Sequence, residues 1–321
     1  MPCILLRAVA MAAALVLVPA AYAFPLPGKP IRIVVPLPPG GPADVQARVI
    51  AKKLGESTGH PVVIENRPGG STLIATREVL AAAPDGHTLL ATFGIVVMLP
   101  HLYRAAPYDF LRDFTPVTQA SLGGLVLTAH ESVPARDVAG LIAYAKANPG
   151  TLSYGSTGAG TSSHLNGELL ARLAGIRMVH VPYKGSPDAA RDLLAGRVQV
   201  FFDPTMSAMA NAKTGRVRML AAATEKRIPA LPELPTLRES GIDIASDSWL
   251  GIFAPGGMPQ ETVEELYAHL SRAILDPETR ALFVAGGSEA TALPPAEFSR
   301  LVRREHAQWG KVIRELGVTL D

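Results

Sequence analysis

The sequence is almost free of cysteine. Its single thiol, Cys3, lies at the start of the chain, ahead of an apolar N-terminal run. Disulfides, thiolate catalysis and cysteine-ligated metal sites are therefore excluded for the chain after Cys3. A chain of 321 residues without a disulfide depends on its hydrophobic core, and this length is sufficient for two domains.

The chain also carries little net charge. The formal net charge is +2, and no basic run is longer than Lys52-Lys53 or Arg303-Arg304. A nucleic-acid-binding protein usually presents a basic stripe, so no nucleic-acid partner is expected. Beyond the N-terminal run, no stretch approaches the roughly 20 apolar residues that a membrane-spanning helix needs.

Motifs for catalysis, metals and cofactors are missing. The segment around Ser156 departs from G-x-S-x-G because Tyr154 occupies the first glycine position. None of the histidines lies in H-E-x-x-H, the glycines of 155–160 do not follow G-x-G-x-x-G, and G-x-x-x-x-G-K-[ST] does not occur. We therefore predict no enzyme, no metal and no cofactor. A secreted α/β hydrolase or isomerase that uses Ser156 or His164 is the alternative.

The N-terminus carries the pattern of an export signal. Arg7 precedes an apolar core at 8–18, Pro19 ends that core, and Ala21-Tyr22-Ala23 forms an A-x-A cleavage site. Residues 1–23 are predicted to be a cleaved signal peptide. The mature chain, from about Phe24, is therefore expected to be periplasmic.

Short apolar strands alternate with amphipathic helices along the rest of the chain. The run 31–35 precedes a helical pattern at 43–55, and a later helix is predicted to bury Leu165, Leu169 and Leu173 on one face. This alternation is typical of α/β architecture with parallel sheets. Glycine-rich turns join strand to helix at 36–44, 66–72 and 155–164.

The first turn, Pro36-Leu37-Pro38-Pro39-Gly40-Gly41-Pro42-Ala43-Asp44, predicts an anion site without a cationic side chain. Its prolines stiffen the approach, and its glycines leave the helix N-terminus bare. Free N–H groups and the positive end of the helix dipole therefore face outward. We interpret Asp44 as completing the dipole of its own helix or holding a water molecule.

The other two turns extend this anion site. In the second turn Asn66 is a candidate amide donor, and its helix start can share one anion with the first turn. The third turn combines N–H groups with the hydroxyls of Ser156, Thr157, Thr161, Ser162 and Ser163. Such a set suits a carboxylate, a phosphate or a polar solute.

Several segments together resemble one family. They are the export signal, 36–44, Glu65-Asn66-Arg67-Pro68-Gly69, Ala83-Pro84-Asp85-Gly86, Pro107-Tyr108-Asp109, Asp113-Phe114-Thr115-Pro116-Val117, His180-Val181-Pro182-Tyr183-Lys184-Gly185, Leu234-Pro235-Thr236, Trp249-Leu250-Gly251 and Trp309-Gly310-Lys311. In this order and spacing they look like the Bug family, the extracytoplasmic solute receptors of tripartite tricarboxylate transporters. The resemblance covers essentially the whole mature chain.

The resemblance implies a Venus-flytrap periplasmic binding protein, with two α/β lobes joined by crossing strands. Lobe 1 would comprise 24–122 and 247–321, and lobe 2 would comprise 123–246. The implied protein is a monomer that captures a small di- or tricarboxylate or a related organic acid. It would deliver this ligand to integral membrane transporter subunits, although a receptor for a membrane signalling protein would share the same fold.

The resemblance also implies the ligand-binding residues. The first two turns would hold one carboxylate group through backbone N–H groups and ordered water, and lobe 2 would close over it. The implied set is Gly40, Gly41, Asp44, Asn66, Gly69, Gly70 and Ser71 in lobe 1, and Ser156, Thr157, Gly158, Thr161, Ser163, His164, Tyr183, Lys184 and Asp203 in lobe 2.

One segment departs from the family pattern. After Arg67-Pro68 the family usually has a run of the form G-A-G-G-[NS]-I-G, whereas this chain has Gly69-Gly70-Ser71-Thr72-Leu73-Ile74-Ala75. The added hydroxyls either donate to the ligand or narrow the pocket. The sequence therefore leaves open which carboxylate is bound.

Overall fold

The computed structural model describes residues 24–25 and 28–320, so the predicted signal peptide at 1–23 lies outside the described residues. The described chain forms two α/β lobes, each built on one sheet. This confirms the predicted fold class. Within the described residues, none of the helices combines the length and the apolar character that crossing a bilayer would take.

The first lobe contains both ends of the described chain, and the second lobe is inserted between them. The first lobe opens with β1 (Ile31–Val35), α1 (Pro42–Thr58), β2 (Val62–Asn66), α2 (Leu73–Leu80), β3 (Thr88–Thr92), α3 (Ile95–Met98), α4 (Phe110–Asp113) and β4 (Phe114–Gly123), with 3-10 turns at Gly70–Thr72 and Leu99–His101. The second lobe contains β5 (Leu125–His130), α5 (Val138–Ala147), β6 (Ser153–Ser156), α6 (Ser162–Ala174), β7 (Val179–Pro182), α7 (Ser186–Leu194), β8 (Val200–Pro204), α8 (Thr205–Ala212) and β9 (Val217–Ala222). The chain returns to the first lobe with β10 (Ser248–Pro255), α9 (Gln260–Leu275), α10 (Pro277–Ala285), β11 (Glu289–Leu293) and α11 (Pro295–Leu316).

Both sheets are mixed. The first has the strand order β11-β4-β10-β3-β1-β2, with β1 parallel to β2 and β3 and with β10 antiparallel to β3 and β4. The second has the order β7-β6-β8-β5-β9, with β6 parallel to β7 and β8 and with β5 antiparallel to β8 and β9. The predicted parallel pairing thus holds for the βαβ units. Next to the crossings the pairing is antiparallel, because the chain leaves the first lobe along β4 and re-enters it along β10.

The first sheet is covered on both faces. Ile33 and Val35 pack in one cluster with Ile50 of α1, whereas Val34 points to the other face and joins a cluster with Phe253. Fully burying such a side chain contributes roughly 1.5–3 kcal/mol to the free energy of unfolding. From Ile33 to Val35, β1 therefore buries consecutive apolar residues on both faces, as expected for a central strand.

Helix α1 ends later than the sequence pattern predicts. Helix α1 continues beyond Gly55 to Thr58 and is ended by Gly59, whose φ of 71° places it in the left-handed region. A glycine inside a helix is tolerated at a modest cost, so Gly55 alone does not stop α1.

Helix α6 is buried on two sides. Leu170 and Ala174 belong to the core of the second lobe, but Leu165 lies in a cluster with Trp309 of the first lobe. Leu173, predicted to share one buried face with Leu165, is 50% exposed. The prediction of a single buried face is wrong because this helix contacts both lobes, which lie on different sides of it.

The two crossings between the lobes lie side by side. One is Gly123-Gly124, between β4 and β5, and the other is the segment 223–247, between β9 and β10. A Cβ at Gly124 would collide with the side chain of Thr224 in the other crossing, so glycine is required where the chain segments pass closely. The domain boundaries at 122/123 and 246/247 stay a prediction.

Candidate functional site

A cleft of about 490 Å³ lies between the two lobes. The first lobe contributes Pro36, Leu37, Gly69, Gly70, Ser71, Thr72 and Ile95, and the second contributes Thr157, Gly158, Ala159, Thr161, Pro182, Tyr183, Lys184, Asp188 and Arg191. A more enclosed space of about 40 Å³, here called the inner chamber, shares Leu37, Thr72, Ile95, Thr157 and Thr161 with the cleft and adds Gly41. Among the described residues, no group of His, Asp or Glu side chains is placed to hold a metal ion.

Asp44 holds the first turn from behind. Its carboxylate accepts hydrogen bonds from the Gly40 N–H at 2.9 Å and from Arg48 Nε at 3.0 Å, and the residue is buried. Burial acts to raise the pKa of Asp44, but the hydrogen bonds from Arg48 and Gly40 lower it overall, so the group stays ionised. Asp44 does not line the cleft, whereas Gly41 lines the inner chamber.

Asn66 fastens the second turn to the first. Its Nδ2 donates to the Leu37 carbonyl at 3.0 Å, and its Oδ1 accepts from Arg48 Nη2 at 3.0 Å. Both ends of the amide are thus used within the first lobe. Asn66 therefore aligns two turns and does not face the cleft.

The second turn has an uncommon backbone. Gly69, Gly70, Ser71 and Thr72 have φ angles of 120°, 56°, 48° and 78°. Glycine adopts such angles freely, but for Ser71 and Thr72 the left-handed conformation costs on the order of 1–3 kcal/mol each. All four residues line the cleft, so the strained backbone lies at the candidate site.

The third turn presents only part of its hydroxyl set to the cleft. Thr157, Gly158 and Thr161 line it, and Thr161 also caps α6 by accepting from the His164 N–H. Ser163 is turned inward, where its hydroxyl donates to the Phe202 carbonyl at 2.8 Å. The hydroxyls of Thr161 and Ser163 are thus both used within the second lobe, the first to cap a helix and the second to bond a buried carbonyl.

Buried Ser156 and half-buried His180 form a hydrogen-bonded pair behind this turn. His180 Nε2 lies 2.7 Å from Ser156 Oγ, which also donates to the Gly158 carbonyl at 3.1 Å and accepts from the Gly158 N–H at 3.3 Å. Ser156 is 0% exposed, and neither Ser156 nor His180 lines the cleft. The pair supports the turn through these hydrogen bonds.

The imidazole of His180 is part of an aromatic stack. Its ring centroid lies 3.8 Å from that of His164 and 4.9 Å from that of Tyr154. Burial, reinforced by the neighbouring His164, lowers the pKa of His180 to about 3. His164 Nδ1 accepts from the Gly160 N–H at 3.0 Å, and burial lowers its pKa as well. Both rings are therefore neutral, and both hold the turn by hydrogen bonds.

The remaining predicted residues differ in placement. Tyr183 lines the cleft and donates to Asp192 at 2.9 Å, and burial together with this hydrogen bond raises the pKa of Tyr183 to about 12. Asp203 is fully buried and accepts from Asn211 Nδ2 at 2.8 Å and Ser186 Oγ at 3.3 Å. Burial raises the pKa of Asp203 to about 7, and Asp203 does not reach the cleft.

The charge at the cleft comes from the second lobe. Arg191 pairs with Asp188 at 3.1 Å, whereas Lys184 forms no salt bridge with any described residue. The side chain of Lys184 is exposed at the rim. The cleft therefore carries one uncompensated positive charge, which favours an anionic ligand.

Thr72, Ile95 and Arg191 line the cleft but are absent from the ligand-binding residues predicted from the sequence. Thr72 follows Ser71 in a turn whose sequence departs from the family pattern, so the sequence could have indicated that Thr72 lies at the cleft. Ile95 and Arg191 lie on helices, and no sequence signal shows which of their faces meets the cleft.

The chain is similar to proteins of known families. The model of the TctC family, described as "Tripartite tricarboxylate transporter family receptor", matches residues 46–318. The protein BugT of Bordetella pertussis is 32% identical over 297 residues, which are 92% of this chain and 91% of that protein.

Solved structures extend this similarity to the fold. Rpa4515 of R. palustris, solved with adipate, is 34% identical with a TM-score of 0.87, covering 91% of this chain and 99% of that chain. MatC (Rpa3494) of Rhodopseudomonas palustris, solved with bound malate, is 30% identical with a TM-score of 0.84, covering 90% of this chain and 100% of that chain. Both likenesses span the two lobes and the cleft.

We expect His180 to make the fold sensitive to acid. Its folded-state pKa of about 3 lies below the 6.5 of an ordinary histidine, so between these values the unfolded chain binds more protons. The contribution of His180 to the free energy of unfolding is therefore lost progressively as the pH falls below 6.5. The variant His180→Gln keeps an amide for Ser156 and cannot titrate. In urea titrations between about pH 7 and 5, its stability should fall less steeply than that of the wild-type chain.

Asp203→Asn provides a control of opposite sign. The folded-state pKa of Asp203, about 7, lies above its usual 3.8, so its contribution is present at low pH and is lost as the pH rises through 7. In Asp203→Asn, the free energy of unfolding should therefore fall more steeply from about pH 7 to about pH 5 than in the wild-type chain. Equal slopes for the wild-type chain and His180→Gln would contradict the assignment to His180.

Proposed function

Since the chain belongs to the tripartite tricarboxylate transporter receptor family, as the Bug resemblance predicts, we propose that this solute-binding protein captures a small carboxylate in the periplasm. It then presents the ligand, as a monomer, to integral membrane subunits of a transporter. The observation that carries the proposal is the convergence of three glycine-rich helix starts, from both lobes, on one cleft. The adipate and malate bound by two structural relatives are both carboxylates.

The cleft holds a carboxylate mainly through backbone groups. Helices α1, α2 and α6 begin at the three turns, and the first N–H groups of a helix have no partner within it. Lys184 at the rim adds a full charge. A charge-assisted hydrogen bond contributes about 1.5–3 kcal/mol, so a few of them reach the roughly −8 kcal/mol of micromolar binding.

Closure of the lobes completes this binding site. Pro38 of the first lobe lies against Gly185 of the second, and Pro187 lies close to Gly41. The turns of both lobes line one cleft in this arrangement, so a ligand that bonds to both favours the closed form over an open one. Binding and closure are therefore coupled.

Export by a cleaved signal peptide is the remaining part of the proposal. Phe24, the first residue after the predicted cleavage site, is buried, and its backbone nitrogen donates to Glu265 at 3.1 Å. A new ammonium group at this position would gain an ion pair with that carboxylate. N-terminal sequencing of the chain recovered from the periplasm should therefore begin at Phe24, and a start at Met1 would contradict cleavage.

We expect at least one carboxylate to bind with roughly micromolar affinity. The panel should include acetate, succinate, malate, adipate and citrate, and thermal shift followed by calorimetry measures the binding. A ligand of the folded state raises the melting temperature in proportion to the logarithm of its concentration above Kd. Succinamide, which has the shape of succinate without its charge, is the control. Binding of succinamide together with no binding of any carboxylate would refute the proposal.

Substitution of Gly185 should weaken ligand binding by hindering closure. Gly185 has an extended φ of 169°, which any residue adopts, but its Cβ would lie 2.5 Å from Pro38 Cδ of the opposite lobe. The variant Gly185→Ala should therefore bind the carboxylate about tenfold or more weakly, while its unliganded melting temperature changes little.

The double variant Gly185→Ala with Pro38→Ala is the matched test. Removing the proline ring takes away the atoms that the new Cβ would meet, so calorimetry should show most of the affinity restored. If the double variant binds as weakly as Gly185→Ala alone, hindered closure is not the cause.

A further inference from the structure

Thr72 occupies the junction between the cleft and the inner chamber, and it lines both. The residue is 5% exposed. Its Oγ1 is buried and has no hydrogen-bond partner among the described residues. A buried hydroxyl without a partner is uncommon in folded proteins, since most such groups are hydrogen-bonded.

The backbone conformation explains why the Thr72 hydroxyl has no hydrogen-bond partner. Thr72 precedes α2 as its N-cap, but with φ 78° and ψ −9° it is left-handed, and its side chain caps no N–H group. Thr161 shows the usual arrangement, with φ −73° and a hydroxyl that accepts from the His164 N–H. The hydroxyl of Thr72 is thus not used to cap its own helix.

The other threonines at the junction are already committed. Thr157 and Thr161 also line both spaces, but Thr157 Oγ1 donates to Thr161 Oγ1 at 3.2 Å, and Thr161 Oγ1 donates to the Gly158 carbonyl at 2.7 Å. Ser71 lines the cleft and not the inner chamber. Of the threonines at the junction, Thr72 alone retains an uncommitted donor.

We propose that the Thr72 hydroxyl binds the ligand by donating a hydrogen bond to a carboxylate oxygen at the junction of the cleft and the inner chamber. This inference rests on the proposed function, because it takes the ligand to be a small carboxylate. A carboxylate only accepts, and the hydroxyl has a free proton to donate. The contact involves a side chain where the family pattern has glycine, so Thr72 helps to determine which carboxylates this chain accepts.

Two variants of Thr72 separate its hydroxyl from its shape. Thr72→Val keeps the branched side chain and removes the hydroxyl, so the Kd of the best wild-type ligand of the acetate, succinate, malate, adipate and citrate panel should rise roughly 10- to 100-fold. Thr72→Ser keeps the hydroxyl, and its Kd should stay within about threefold of the wild-type value. Calorimetry on the mature chain measures both.

Thr76→Val is the matched control. Thr76 lies one turn further along α2, is 1% exposed, and has an Oγ1 that also lacks a partner among the described residues, but it does not line the cleft. Its substitution should leave the Kd unchanged. A Kd raised as much by Thr76→Val as by Thr72→Val would assign the effect to α2 as a whole and overturn the proposal.

Unfolding without ligand gives an independent readout. Thr72→Val removes a buried hydroxyl that the fold itself does not use, so its urea midpoint should equal or exceed that of the wild-type chain. A lower midpoint would mean that the hydroxyl has a structural partner, which contradicts the proposal. If the wild-type chain binds no carboxylate, the proposed function fails, and this inference fails with it. If it binds one and Thr72→Val binds it equally well, only this inference fails.

Discussion

The structure depends on one property of the α-helix, namely that its first N–H groups have no acceptor within the helix. Helices α1, α2 and α6 all begin beside the same cleft, each after a glycine-rich turn. Their dipoles make this region favourable for an anion, and Lys184 contributes a full charge at the rim. The cleft therefore attracts a carboxylate with little need for buried ions, whose desolvation is expensive.

A layer of buried and half-buried polar side chains keeps these turns in place. Asp44 and Asn66 fix the first two turns to each other through Arg48 and the backbone, and His164 and His180 fix the third turn by accepting or sharing hydrogen bonds with Gly160 and Ser156. These side chains bond to the turns and not to the cleft. The positions of the backbone N–H groups are therefore set from behind, which preorganises them for a ligand.

Glycine also decides where the lobes touch. At Gly185 the absence of a side chain lets Pro38 of the other lobe approach, and at Gly124 it lets the two crossings pass side by side. On the flank, Leu165 of the second lobe packs in a cluster of the first. The turns to which we assign ligand binding are therefore also the turns at which the two lobes touch.

The α/β class, the strand-turn-helix units and the backbone of the candidate site follow from local interactions, so the sequence predicts them. The conformational preferences of glycine, proline and helix-start residues extend over only a few residues, so the turns can be recognised from the sequence. Which side chains face the cleft depends instead on packing between segments that are distant in the chain. Ser163 and Asp203 are turned inward by Phe202 and Asn211, while Arg191 is brought to the cleft on a helix. The direction of a polar side chain depends on partners distant in the chain, because a buried hydroxyl or carboxylate must find its hydrogen bonds wherever packing places them.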